Sequence, residues 1–154
     1  MPNYKTHLVG GVVTFCIILL LIFSSISGLK IATLFQYLSS CLIGSLFPDV
    51  DTKSKIQKLF YTVLLCIFII TLVQGSFTIF VILTFIGILP LIVHHRGLFH
   101  KPLFIASIAL IAVLICCLYA PKLQYHLCLN LLFFVSGAFS HIILDVGVKR
   151  FFRI

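Results

Sequence analysis

The sequence predicts an all-α fold, a polytopic membrane helix bundle of about six transmembrane helices with both termini cytoplasmic, forming a single integral membrane domain over residues 1–154. Three observations predict it. Hydrophobic residues make up 62% of the chain and charged ones 9%, and the mean hydropathy is +1.28. A soluble domain of this size leaves too much of its surface in water to hide that apolar excess, so lipid must serve as solvent. The apolar runs are continuous, without the alternation of barrel strands, and a helix satisfies every backbone polar group internally. Finally, the cations are distributed unevenly among the connections, as a spanning chain requires.

Taken in order, residues 8–27 are long enough to cross, given about 20 residues per span. Their apolar core exceeds that of a signal peptide and no A-x-A site follows, so they read as a retained first helix. Residues 31–47 run back and stop before Pro48, because proline lacks a donor and disfavours helical geometry in the residue ahead of it. Asp49, Asp51, Lys53, Lys55 and Lys58 then make the most hydrophilic stretch of the chain. Residues 59–73 are short for a crossing and are expected to begin nearer Ile56 or to sit tilted. Residues 77–93, 103–120 and 127–148 complete the six runs.

Six crossings put Lys5, Lys53, Lys55, Lys58, Arg96, Lys101, Lys149, Arg150 and Arg153 on one face and only Lys30 and Lys122 on the other. The positive-inside rule makes the crowded face cytoplasmic. Net charge is +8, with Asp49, Asp51 and Asp145 as the only acids. The topology drawn from the cations sends all three of them, and every histidine but His126, to that same face. His7 opens the first span, Asp49 and Asp51 follow the second, and His94, His95 and His100 follow the fourth. His141 and Asp145 lie near the end of the sixth.

Carboxylates and imidazoles together suit divalent zinc, manganese or iron, whereas oxygen-only cages suit magnesium or calcium. His141 and Asp145 are four apart and share a helix face. Gly97 gives the loop between His95 and His100 the backbone freedom to fold back over a site. The candidate metal ligands are His7, Asp49, Asp51, His95, His100, His141 and Asp145, more than one ion needs. That number points to one or two divalent ions, Zn or Mn, clamping a displacement. Arg96 offers a planar fork of donors to an anion, with Lys101 beside it as a second substrate-binding cation. Asp49 and Asp51 are also candidates for the general base.

Each feature has a plainer explanation when taken alone. His126 suits helix packing, His7 the headgroup layer, Asp145 a pair with Lys149, and Asp49 a helix cap. Lys53 and its neighbours suit contact with lipid headgroups. The six cysteines, Cys16, Cys41, Cys66, Cys116, Cys117 and Cys128, lie in apolar runs without metal-ligand spacing and read as small buried hydrophobes. Together, the plain explanations would need several coincidences at one depth, where ionisable groups are functional candidates by default.

The segment Gly44-Ser45-Leu46-Phe47-Pro48-Asp49-Val50-Asp51, then His95-Arg96-Gly97 with His100, then Ser140-His141 with Leu144-Asp145, preceded by His7, resembles the YdjM-like family of membrane-bound, predicted metal-dependent hydrolases. The resemblance covers nearly the whole chain. It implies a small multi-pass protein of the bacterial inner membrane with a hydrolase site built from those His and Asp residues. The expected function is therefore hydrolysis of a lipid-borne ester, phosphate-containing, at the cytoplasmic face. Membrane lipids and a lipid-like substrate are the expected partners, and nucleic acid is not. The alternative is a non-enzyme, either a divalent-metal transporter or a membrane scaffold with a structural ion. A transporter would place its ligands near the bilayer midplane instead of crowding one face.

Overall fold

The computed structural model describes residues 3–23, 30–51, 54–76, 98–119 and 124–147, together with positions 81, 83, 84, 87, 88 and 90. Its regular elements are all helical: α1 (Tyr4–Ile22), α2 (Ile31–Leu46), α3 (Lys55–Val73), α4 (Pro102–Tyr119) and α5 (Gln124–Val146), with 3-10 turns at Phe47–Asp51 and Leu98–His100. Four segments are long and apolar enough to cross a membrane: Tyr4–Ile22, Ile31–Val50, Lys55–Val73 and Gln124–Val146; Pro102–Ile115 is a shorter apolar helix. Of the six expected crossings, the one at residues 77–93 falls mostly outside the described residues, although positions 81, 83, 84, 87, 88 and 90 are helical.

The helix boundaries follow local chemistry. α2 tightens into a 3-10 turn at Phe47, which lets Pro48 be included without a lost α-helical hydrogen bond. α3 starts at Lys55, earlier than its apolar run, because Ser54 caps it and accepts the Gln57 backbone N–H at 3.2 Å. The extra turn brings the helix to 19 residues, enough to span. At the other end of α3, Gly75 adopts a left-handed φ of 66° just past the helix, as a C-terminal cap requires.

Backbone contacts divide the chain into two compact units, Met1–Pro48 with His100–Ile154, and Asp49–Phe99. In the first, α5 packs on α1, α2 and α4, and α1 packs on α2. Tyr37 stacks on Phe133 with ring centroids 5.0 Å apart, and Phe15 meets the same ring at 5.4 Å. Ile105, Ala138 and Ile142 form a second buried cluster.

α2 and α5 run parallel in strict register, Tyr37 beside Phe133, Cys41 beside Gly137 and Ser45 beside His141. Their backbones nearly touch. A Cβ built on Gly44 would stand 2.0 Å from the Phe134 carbonyl oxygen, and one on Gly137 would stand 2.1 Å from that of Cys41. With lipid as solvent, such small-residue contacts are how helices gain packing energy. The outer faces stay apolar: Leu20, Leu103 and Ile31 are each about four-fifths exposed in the isolated chain, as lipid-facing side chains should be. In the second unit, Tyr61 donates to the Gly87 carbonyl at 2.8 Å.

Candidate metal centre

Because α5 runs parallel to α2 and antiparallel to α1 and α4, the same end of this unit gathers the start of α1, the end of α2, the start of α4 and the end of α5. The polar residues of four chain segments meet there. His7 comes from the first turn of α1, His100 from the 3-10 turn ahead of α4, and His141 and Asp145 from the last two turns of α5. All three imidazoles are buried, His7 and His141 at 1% or less exposure.

The three rings aim at one carboxylate. His7 Nε2 lies 3.5 Å from Asp145 Oδ1, while His141 Nε2 and His100 Nε2 lie 3.5 and 3.7 Å from Oδ2. These separations exceed an ordinary charge-assisted hydrogen bond of about 2.7–2.9 Å. They match the spacing of donors around a divalent ion: with bonds of about 2.0–2.2 Å, the ligand atoms of a tetrahedral ion stand about 3.4 Å apart. One ligand atom each from His7, His141 and Asp145 lies within 4.8 Å of the others.

The protonation pattern points the same way. His141 Nδ1 lies 2.7 Å from the Ser45 carbonyl oxygen, which can only accept, so Nδ1 carries the proton. In neutral His141 the lone pair is then on Nε2, facing the carboxylate. Two lone pairs aimed at each other across a buried gap repel unless a cation lies between them. A metal-ligating histidine characteristically donates its other N–H to a backbone carbonyl, and His141 does so. His7 Nδ1 is buried with no hydrogen-bond partner among the described residues. The His7 and His141 rings stack at a centroid distance of 3.7 Å and an interplanar angle of 18°, and two imidazolium cations would repel in that arrangement.

Of the sequence-derived candidates, His7, His100, His141 and Asp145 thus come together. Asp49 lies in the 3-10 turn as the first residue of the second unit, and its backbone carbonyl accepts the Ser54 hydroxyl at 3.3 Å. The cap of α3 is therefore Ser54, not Asp49. Asp51 closes that turn. His95 and Arg96 lie outside the described residues, as does Lys149, the other candidate partner of Asp145. Lys101 is exposed, next in the chain to His100. His126 is exposed on the first turn of α5, at the opposite end from His141.

Sequence reasoning missed Ser45, whose role is carried by a backbone carbonyl that any residue possesses. It also missed Gly44 and Gly137, whose missing side chains let that carbonyl reach His141. Gly44, Ser45 and Ser140 stand in the motifs that carry the family resemblance without a role assigned to them, and a second signal was the recurrence of small residues, Cys41, Gly44 and Ser45 on α2 and Gly137, Ala138 and Ser140 on α5, at helical spacing.

Residues 1–150 match the YdjM inner membrane protein family. No curated protein and no solved structure matches the chain.

Proposed function

From membership of the chain in the YdjM inner membrane protein family and from its buried His–Asp cluster, we propose a metal-dependent hydrolase that cleaves a lipid-borne, phosphate-containing ester at the cytoplasmic face of a bacterial inner membrane. The observation carrying this reading is the convergence of three imidazole Nε2 atoms on Asp145. His7, His100, His141 and Asp145 hold the metal, Zn or Mn by the chemistry of the donors. A divalent ion there supplies a Lewis acid and lowers the pKa of water toward neutrality.

His141 is held in its ligating tautomer by Ser45, and Asp145 supplies the charge that offsets the ion. Asp49, Asp51 and His95 join the proposed ligand set from their order in the sequence, with Asp49 or Asp51 as general base. Arg96 and Lys101 hold the substrate anion. Six crossings with both termini cytoplasmic complete the reading; reporter fusions at each terminus should both score cytoplasmic.

The test is metal analysis of the purified protein, followed by assays on phospholipids and prenyl phosphates with and without chelator. Chelator-sensitive phosphate release that disappears in Asp145→Asn supports the hydrolase. Stoichiometric metal with no turnover across the panel refutes it. The near-complete burial of His7 and His141 favours a second reading, a scaffold with a structural ion, since structural sites are closed. In that case chelation melts the bundle and no substrate is turned over.

A further inference from the structure

The geometry points to two metal ions in this cluster, bridged by the two oxygens of Asp145, one served by His7 and the other by His100 and His141. The inference rests on the reading of the cluster as a metal centre and fixes how many ions it holds. An imidazole binds through a lone pair lying in the ring plane, so its ion sits in that plane about 2.0–2.1 Å from the nitrogen.

The rings of His7 and His141 are stacked, centroids 3.7 Å apart and planes inclined by only 18°. Planes that nearly parallel and a ring's thickness apart do not meet within reach of a metal–nitrogen bond. One ion shared by both would have to sit far out of both planes. Each ring therefore addresses its own ion.

The carboxylate divides in the same way. His7 Nε2 faces Oδ1, and His141 Nε2 faces Oδ2. The third ring, His100, also faces Oδ2, and it stands at 71° to His141 with centroids 5.7 Å apart. Steeply crossed planes can meet, and one ligand atom of His100 lies within 4.8 Å of one of His141, so these two rings can share an ion where His7 and His141 cannot. Two ions set apart by about the ring spacing fall at the separation of about 3.5–4 Å found in two-metal hydrolytic centres. At that spacing a pair of ions can hold both the attacking and the leaving oxygen of a phosphoester.

The experiment is to strip the full-length protein in nanodiscs of metal, reload it with Mn(II), and measure bound metal by mass spectrometry and its electron paramagnetic resonance. The expected result is two ions per chain with the spectrum of an exchange-coupled pair. His7→Ala should keep one ion and give the six-line spectrum of isolated Mn(II). His100→Ala should lose the coupled spectrum, and Asp145→Ala should lose both ions. One uncoupled ion per chain in the unmutated protein overturns the pair while leaving the metal centre intact. No bound metal overturns both. Because the decisive readout is on the unmutated chain, misfolding of a variant does not rescue the idea.

Discussion

Gly44→Ala should damage the metal centre without touching a ligand. The new Cβ would stand 2.0 Å from the Phe134 carbonyl oxygen, 2.8 Å from its carbon and 2.9 Å from the Phe134 Cα. All three atoms are backbone within α5 and cannot rotate away. Ordinary carbon–oxygen contact is about 3.2–3.5 Å, so α2 and α5 must part by more than about 1 Å. Ser45, the next residue, faces His141 across the same interface at 2.7 Å. The same parting takes that hydrogen bond to about 3.7 Å or beyond, where it no longer exists. Overpacking costs about 1–3 kcal/mol and leaving the His141 N–H buried and unpaired about 1–3 more, which gives a loss on the order of 2–6 kcal/mol. Loss of such an outer-shell partner weakens metal binding roughly 10–100-fold. The assay is chelator competition for metal beside thermal melting in the same detergent. Gly10→Ala is the control, because its Cβ would crowd the Cδ1 of Leu144, the far end of a flexible, exposed side chain that can swing aside, and would otherwise meet only ordinary contacts with Ser140 Oγ and Leu144 Cγ. If Gly44→Ala binds and melts like Gly10→Ala, the proposed link between helix contact and ligand geometry is wrong.

Three further outcomes are expected. Asp145→Asn keeps the shape of the side chain but removes the carboxylate on which the three rings converge, so bound metal should fall sharply by mass spectrometry while helix content by circular dichroism is unchanged. His126→Ala should leave metal content at the unmutated value, since that ring is exposed at the other end of α5; a lost ion would mean that the cluster is wrongly located. Ser54→Ala should cost about 1 kcal/mol of stability through the lost cap of α3, measurable as a lowered melting midpoint, and an unchanged midpoint would discount the Gln57 hydrogen bond.

The all-helical membrane class was legible because lipid as solvent imposes a simple rule on composition; the runs at 31–47, 103–120 and 127–148 match helices closely, whereas α1 (Tyr4–Ile22) begins four residues ahead of the run read at 8–27. The cluster was legible for a related reason. In a chain with three acids, scarcity and topology together assign His7, Asp49, Asp51, His95, His100, His141 and Asp145 to one end, and His7, His100, His141 and Asp145 are the four whose side chains meet within the first unit. What remained hidden depends on orientation. Nothing in the letters says that His7 lies flat on His141 while His100 crosses it steeply, because ring angles come from how α1 and the start of α4 settle against α5. The Ser45 carbonyl was hidden because backbone groups have no signature in a sequence. The start of α3 was legible from length: an apolar run from Leu59 is too short to cross, so the helix is expected to begin nearer Ile56 or to sit tilted, and it begins at Lys55 behind the Ser54 cap.

Depth within the helices argues between an enzyme and a carrier. Asp145 is one residue from the end of the 23-residue α5, and His141 about one turn further in. His7 is the fourth residue of α1, and His100 precedes α4 altogether. At a rise of about 1.5 Å per residue, the ligands on α1 and α5 lie within about 8 Å of a helix end, far from the middle of either helix. Carriers put their sites at the midplane and build them on broken helices, so that either side can open. Here α1 and α5 continue unbroken beyond His7 and His141 for most of a bilayer, closed by the Tyr37, Phe133 and Phe15 stack. An ion held at one end, with Tyr37, Phe133 and Phe15 packed together further along the same helices, is not the midplane arrangement of a carrier. On the proposed reading, that end is where water and the polar end of a lipid would meet the cluster, and the chelator-sensitive assay on phospholipids and prenyl phosphates tests it.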